Sequence, residues 1–88
     1  MKIKQGYVIK RLGAGYVVVT VGQASKDFNG LIRLDQPGAF LWGLLEHGPV
    51  DRDGMVAAMM ERYEDLDEAT ARQDLDEFLK AVEFALEE

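Results

Sequence analysis

The chain contains no cysteine, which by inventory alone excludes disulfides, thiolate metal sites, iron–sulfur clusters and cysteine nucleophiles. Histidine is nearly absent too: His47 stands alone, and one histidine without a spaced partner cannot make a zinc site. Beside Gly48 and Pro49 it reads as a solvent-facing residue at a helix end, where it meets the helix dipole. No apolar run approaches the ~20 residues that cross a bilayer, and the opening Met1-Lys2-Ile3-Lys4-Gln5-Gly6-Tyr7 has no apolar stretch followed by a small-residue cleavage site. The expectation is a cytoplasmic protein that stays off the membrane and takes no metal and no cofactor. Redox chemistry, if any, would belong to a partner.

What is there suffices for one core. The 88 residues are 48% hydrophobic, enough for one compact unit and too few for two, so residues 1–88 are expected to form a single domain. The net charge of −6 conceals an asymmetry. Residues 1–34 carry six Lys/Arg against Asp27 alone, whereas residues 35–88 carry fifteen Asp/Glu against four Arg/Lys. The two parts are thus +5 and −11. A surface that acidic repels a phosphate backbone, because nucleic-acid binding depends on clustered cations that release counterions. It serves either as a solvated helical face or as a polarised surface for a partner.

Residues 3–12 and 16–21 are rich in Val, Ile and Tyr, and Gly13-Ala14-Gly15 between them supplies the freedom that a tight turn requires, so a β-hairpin is predicted. Val17, Val19 and Val21 share one side of the second strand while Tyr16, Val18 and Thr20 share the other. Apolar on both sides, it is expected in the middle of the sheet. After a polar connection over residues 22–27, residues 28–34 read as a third strand, completing an antiparallel meander with two unpaired edges. Asp35 followed by Pro37 then signals the start of a helix over residues 36–46, apolar nearly all round and ended by Gly48 and Pro49. Asp51 caps a second helix over residues 52–63, with Met55, Val56, Met59, Met60 and Tyr63 turned inward. Asp67 caps a third over residues 68–87, whose stripe is Ala71, Leu75, Phe78, Leu79, Val82 and Leu86. The fold class is α+β: a three-stranded antiparallel meander followed by three α-helices, the last two spaced like a helix-turn-helix.

Chemistry-bearing constellations are few. Asp74, Asp76 and Glu77 cluster on the third helix, but general acid–base work needs a concave, partly desolvated site. Ser25, Thr20 and Thr70 have no base at a recognisable spacing. Gly13-Ala14-Gly15 precedes a strand rather than a helix and lacks a lysine, so it is no phosphate loop. No catalytic residue is predicted.

The stretch Phe28-Asn29-Gly30-Leu31-Ile32-Arg33-Leu34-Asp35-Gln36-Pro37-Gly38-Ala39-Phe40-Leu41-Trp42 resembles the signature region of the PqqD family, recognition elements for ribosomally made, post-translationally modified peptides. The likeness continues through Gly48, Arg62-Tyr63 and Asp74-Leu75-Asp76-Glu77-Phe78-Leu79. Asp35 replaces the usual asparagine with capping preserved, and Phe84-Ala85-Leu86 stands where a glycine is common. The resemblance implies a winged-helix-like domain in which a leader peptide adds as an antiparallel strand to the third strand, in a groove against the third helix. It implies a peptide-binding set of Gly30, Leu31, Ile32, Arg33, Leu34, Asp74, Leu75, Phe78, Leu79 and Val82. The partners implied are a precursor (leader) peptide and a peptide-modifying enzyme, often of the radical S-adenosylmethionine class.

The function expected is therefore a non-enzymatic peptide chaperone. Two alternatives share the element order: a winged-helix DNA-binding protein, disfavoured by the acidic helices, and a regulatory subunit that binds its enzyme but no free peptide.

Overall fold

The computed structural model describes residues 1–27 and 31–87. Its sheet has the order β2-β3-β4, with β2 at Tyr7–Leu12, β3 at Gly15–Thr20 and β4 at Ile32–Leu34, antiparallel throughout. The middle position of the Val-rich strand is as the sequence predicts. Leu12 pairs with Gly15 across a two-residue turn, and Gly13 holds φ +63 there, as the first central residue of a type II′ turn must. Leu31, expected in the third strand, lies just outside it. Residues 28–30 of that prediction lie outside the described residues.

Three helices follow: α2 at Gln36–Glu46, α3 at Arg52–Arg62 and α4 at Glu68–Ala81. Each begins at a predicted aspartate. Asp35, Asp51 and Asp67 accept hydrogen bonds from the backbone N–H of Gly38 (2.9 Å), Gly54 (2.7 Å) and Thr70 (2.8 Å), satisfying donors that a helix start leaves without partners. The bond from Thr70 is also the main reason that the Asp67 carboxyl titrates below the usual carboxylate range, since it favours the charged form.

Three sequence expectations need correction at the ends and connections. The first strand does not run unbroken from residue 3: a separate β1 at Lys2–Ile3 is divided from β2 by a turn at Gly6. Gly6 has φ +96, and a Cβ there would lie 2.7 Å from the Cβ of Ala24, so only glycine fits. The polar connection contains a helical turn, α1, at Ala24–Asp27, which presses Ala24 into the core beside Gly6. Finally α4 stops at Ala81 rather than near residue 87. Beyond it come a 3₁₀ turn, Glu83–Ala85, and β5 at Leu86–Glu87, which pairs with β1. The β1 ladder and the contact of Phe84 with Tyr7, ring centroids 5.5 Å apart, together outweigh continuation of the helix. Met1 is held in the same corner, its ammonium donating to the Val50 carbonyl (2.9 Å) and its own carbonyl accepting from the Val50 N–H (3.0 Å).

One hydrophobic cluster joins the sheet to the helices, with Val18, Trp42, Leu45, Met55, Leu75 and Val82 at its centre. Met60, predicted to face inward, is exposed instead. At 100° per residue it lies farthest, among the five residues predicted to face inward, from the middle of the α3 stripe that Met55, Val56 and Met59 define, and the packed face ends short of it.

Candidate functional site

The sheet has two outer edges, on β2 and on β4, and the β4 edge borders an open groove. Among the described residues β4 pairs on one side only, with β3. The register says which backbone groups are free. A two-residue hairpin closes on a hydrogen-bonded pair, here Leu12 and Gly15, and such pairs alternate along an antiparallel ladder. The Val21 N–H donating to the Gly6 carbonyl at 2.8 Å keeps the same parity at the far end. Odd-numbered residues of β3 therefore bond to β2 and even-numbered ones to β4. Tyr16 opposite Leu34 and Val18 opposite Ile32 are the bonded pairs, so the N–H and C=O of Arg33 point out of the sheet, away from β3.

Side chains alternate as well. Ile32 and Leu34 turn toward the helices, Leu34 buried and Ile32 packed on the core, whereas the exposed Arg33 side chain turns to the opposite face. What Arg33 presents along the edge is its backbone. Leu31, just outside the strand, is 56% exposed.

An open groove runs from this edge to α4. One wall is Arg33 and Leu34 with the hairpin residues Leu12 to Tyr16 behind them, and the other is Asp74, Glu77, Phe78 and Ala81 of α4. Leu41 of α2, Met59 of α3, and Tyr63 and Leu66 of the α3–α4 connection close the remaining side. Positions 74, 77, 78 and 81 step by three, one and three, which places them on one flank of a helix. Tyr63 is fixed there by an edge-on contact with the Phe40 ring at 5.9 Å, with the Arg62 guanidinium over its own ring at 5.6 Å. The groove volume, about 1730 Å³, exceeds the roughly 300–1,000 Å³ of pockets for small molecules. A groove that large, bordered by a strand edge and a helix, suits an extended chain.

Of the peptide-binding residues expected from the sequence, the structure brings Arg33, Leu34, Asp74 and Phe78 together around this groove. Leu31 and Ile32 continue the same edge without lining it. Leu75 and Val82 do not line it: both are 0% exposed, Leu75 within α4 and Val82 at its C-terminal cap, each packed in the core. Leu79 is also buried in that cluster. Gly30 lies outside the described residues. Sequence reasoning missed Glu77, Ala81, Tyr63 and Leu66. The signal for the first two is present, since they share a flank with Asp74 and Phe78, but the sequence does not say on which flank of the stripe the sheet edge lies.

Elsewhere the surface offers little chemistry. Among the described residues no three of His, Cys, Asp and Glu come close enough to hold a metal ion, and no helix is long and apolar enough to cross a membrane.

Comparison with known proteins bears on this geometry. The family model described as coenzyme PQQ synthesis protein D (PqqD) matches residues 9–83. A solved structure of TbiB1 in complex with the TbiA(beta) leader peptide matches with a TM-score of 0.71 at 29% sequence identity, covering 94% of this chain and 88% of that one. No curated protein matches the chain.

Proposed function

This chain belongs to the PqqD family, and from that premise we propose that it captures the leader of a ribosomally made precursor peptide as an added strand on β4. It presents that peptide to a separate modifying enzyme, one of the radical S-adenosylmethionine class, and contributes no catalytic residue itself. The observation that carries this reading is the outward-pointing backbone of Arg33 on a sheet edge that faces α4 across an open groove. TbiB1, similar over nearly the whole chain, has a leader peptide bound, which supports a peptide as the occupant here.

The physics of strand addition divides the work. Each backbone hydrogen bond along the edge contributes about 0.5–1.5 kcal/mol net and is blind to sequence. Selectivity must come from alternate side chains of the guest, which in an antiparallel pairing enter the groove opposite Ile32 and Leu34 and meet Phe78, Tyr63 and Leu66.

The test is a fluorescence-anisotropy titration with the labelled leader of a short precursor peptide encoded beside this chain. Saturation at one peptide per protein is expected, with the peptide mass unchanged after long incubation. Failure to bind that leader, together with tight binding of a DNA duplex, would establish the winged-helix DNA-binding alternative instead.

A further inference from the structure

Some acids of the helical half are held in ion pairs, and those on the groove are not, among the described residues. On the side where α3 packs against α4, Arg52 pairs with Asp76, and Arg72 pairs with Asp53 (3.1 Å) and Glu68 (2.9 Å). On the groove side the arrangement is different. Asp74 and Glu77 on α4 and Glu64 and Asp65 in the preceding connection all line the groove and are all exposed, and no ion pair engages any of them among the described residues. Two arginines also border it. Arg62 is stacked on Tyr63, and the Arg33 side chain alternates to the other face of the sheet. The fifth lining carboxylate, Asp35, is held by its cap bond to Gly38.

Resting on the peptide-capture reading above, we infer that the groove selects a guest strand that carries lysine or arginine beside an apolar anchor, and rejects one with an acid at that place. An antiparallel guest has its groove-facing side chains two residues apart, opposite Ile32 and Leu34. An apolar side chain in one of these positions reaches Phe78 and the apolar floor. A long basic side chain two residues away lies along the Asp74–Glu77 flank, its methylenes on apolar surface and its charge among unpaired carboxylates. An acid in that place meets like charge, while the lining Arg62 is stacked on Tyr63. The four unpaired carboxylates thus set sign selectivity on a site whose backbone bonds have none.

The experiment is a selection of phage-displayed random dodecapeptides on the full chain, followed by titration of synthetic versions of the enriched sequence. Lys or Arg is expected over Asp or Glu two residues from the apolar anchor. Replacing that base by Glu should weaken binding by about tenfold, and by less as salt is raised, since exposed charges are screened. In the Asp74→Asn/Glu77→Gln double variant the Lys-versus-Glu discrimination should fall to about twofold, whereas Glu61→Gln, off the groove, should leave it unchanged. All these positions are exposed, and none holds an ion pair among the described residues. Enriched peptides that shift the amides of residues 31–35 but show no charge preference, or an acidic one, overturn this inference and leave strand addition standing. Peptides that shift other amides, or no enrichment at all, overturn strand addition and this inference with it.

Discussion

Trp42→Ala should unfold the protein or bring it close to unfolding. The indole is 0% exposed at the middle of α2, the largest side chain in the core, and truncating a buried Trp costs about 3–5 kcal/mol in lost transfer energy and cavity. A domain of 88 residues has a total stability of only about 4–13 kcal/mol at 0.05–0.15 kcal/mol per residue. A further detail sharpens the expectation. The indole Nε1 is buried with no hydrogen-bond partner among the described residues, a group that costs about 1–3 kcal/mol to leave unmet. Trp42→Phe removes that donor while opening a smaller cavity, so it should lose well under half of what the alanine variant loses. Urea denaturation followed by far-UV circular dichroism measures both. An unaltered midpoint for Trp42→Ala would mean that this residue does not hold the helices to the sheet.

Proline placed at neighbouring positions of β4 should separate folding from binding. Arg33→Pro removes the outward N–H and puts a ring in the path of the guest, on an edge strand where proline is tolerated. Peptide binding should weaken at least tenfold, the equivalent of about 1.4 kcal/mol, with the melting temperature nearly kept. Ile32→Pro removes an N–H that bonds to Val18 inside the sheet, so it should lower the melting temperature itself. The reverse outcome, with Arg33→Pro unfolding the chain and Ile32→Pro only weakening binding, would show the hydrogen-bond parity of β4 to be the opposite of that derived from the hairpin.

Much of this fold is legible in the sequence because its signals are local. Asp35, Asp51 and Asp67 mark all three major helix starts, and Gly13-Ala14-Gly15 marks the hairpin whose closing pair sets the parity of the whole sheet. The readings that fail are those decided by distant partners. Nothing near Val82 ends α4, since Leu86 keeps the apolar spacing; the helix stops because β1, at the other end of the chain, pairs with Leu86–Glu87. Likewise Gly6 breaks the first strand for the sake of Ala24, a contact with no local trace. The site follows the same division. The strand edge at Arg33 and Leu34 is readable from the meander, but an apolar stripe on α4 does not reveal which flank borders a groove. Reasoning from the stripe selects Leu75 and Val82, which the core consumes, and passes over Glu77 and Ala81, which lie open.

The most direct measurement is amide hydrogen exchange, resolved by residue, with and without bound leader peptide. Ile32 and Leu34 should be protected in the free protein, because their N–H groups bond to β3. Arg33 should exchange quickly when free and slow markedly only when the peptide is bound, with Leu31, next in the same parity, following it. If protection appears instead at Ile9 and Arg11, whose N–H groups point away from β3 on the opposite edge of the sheet, the guest adds to β2 and the groove against α4 is not its site.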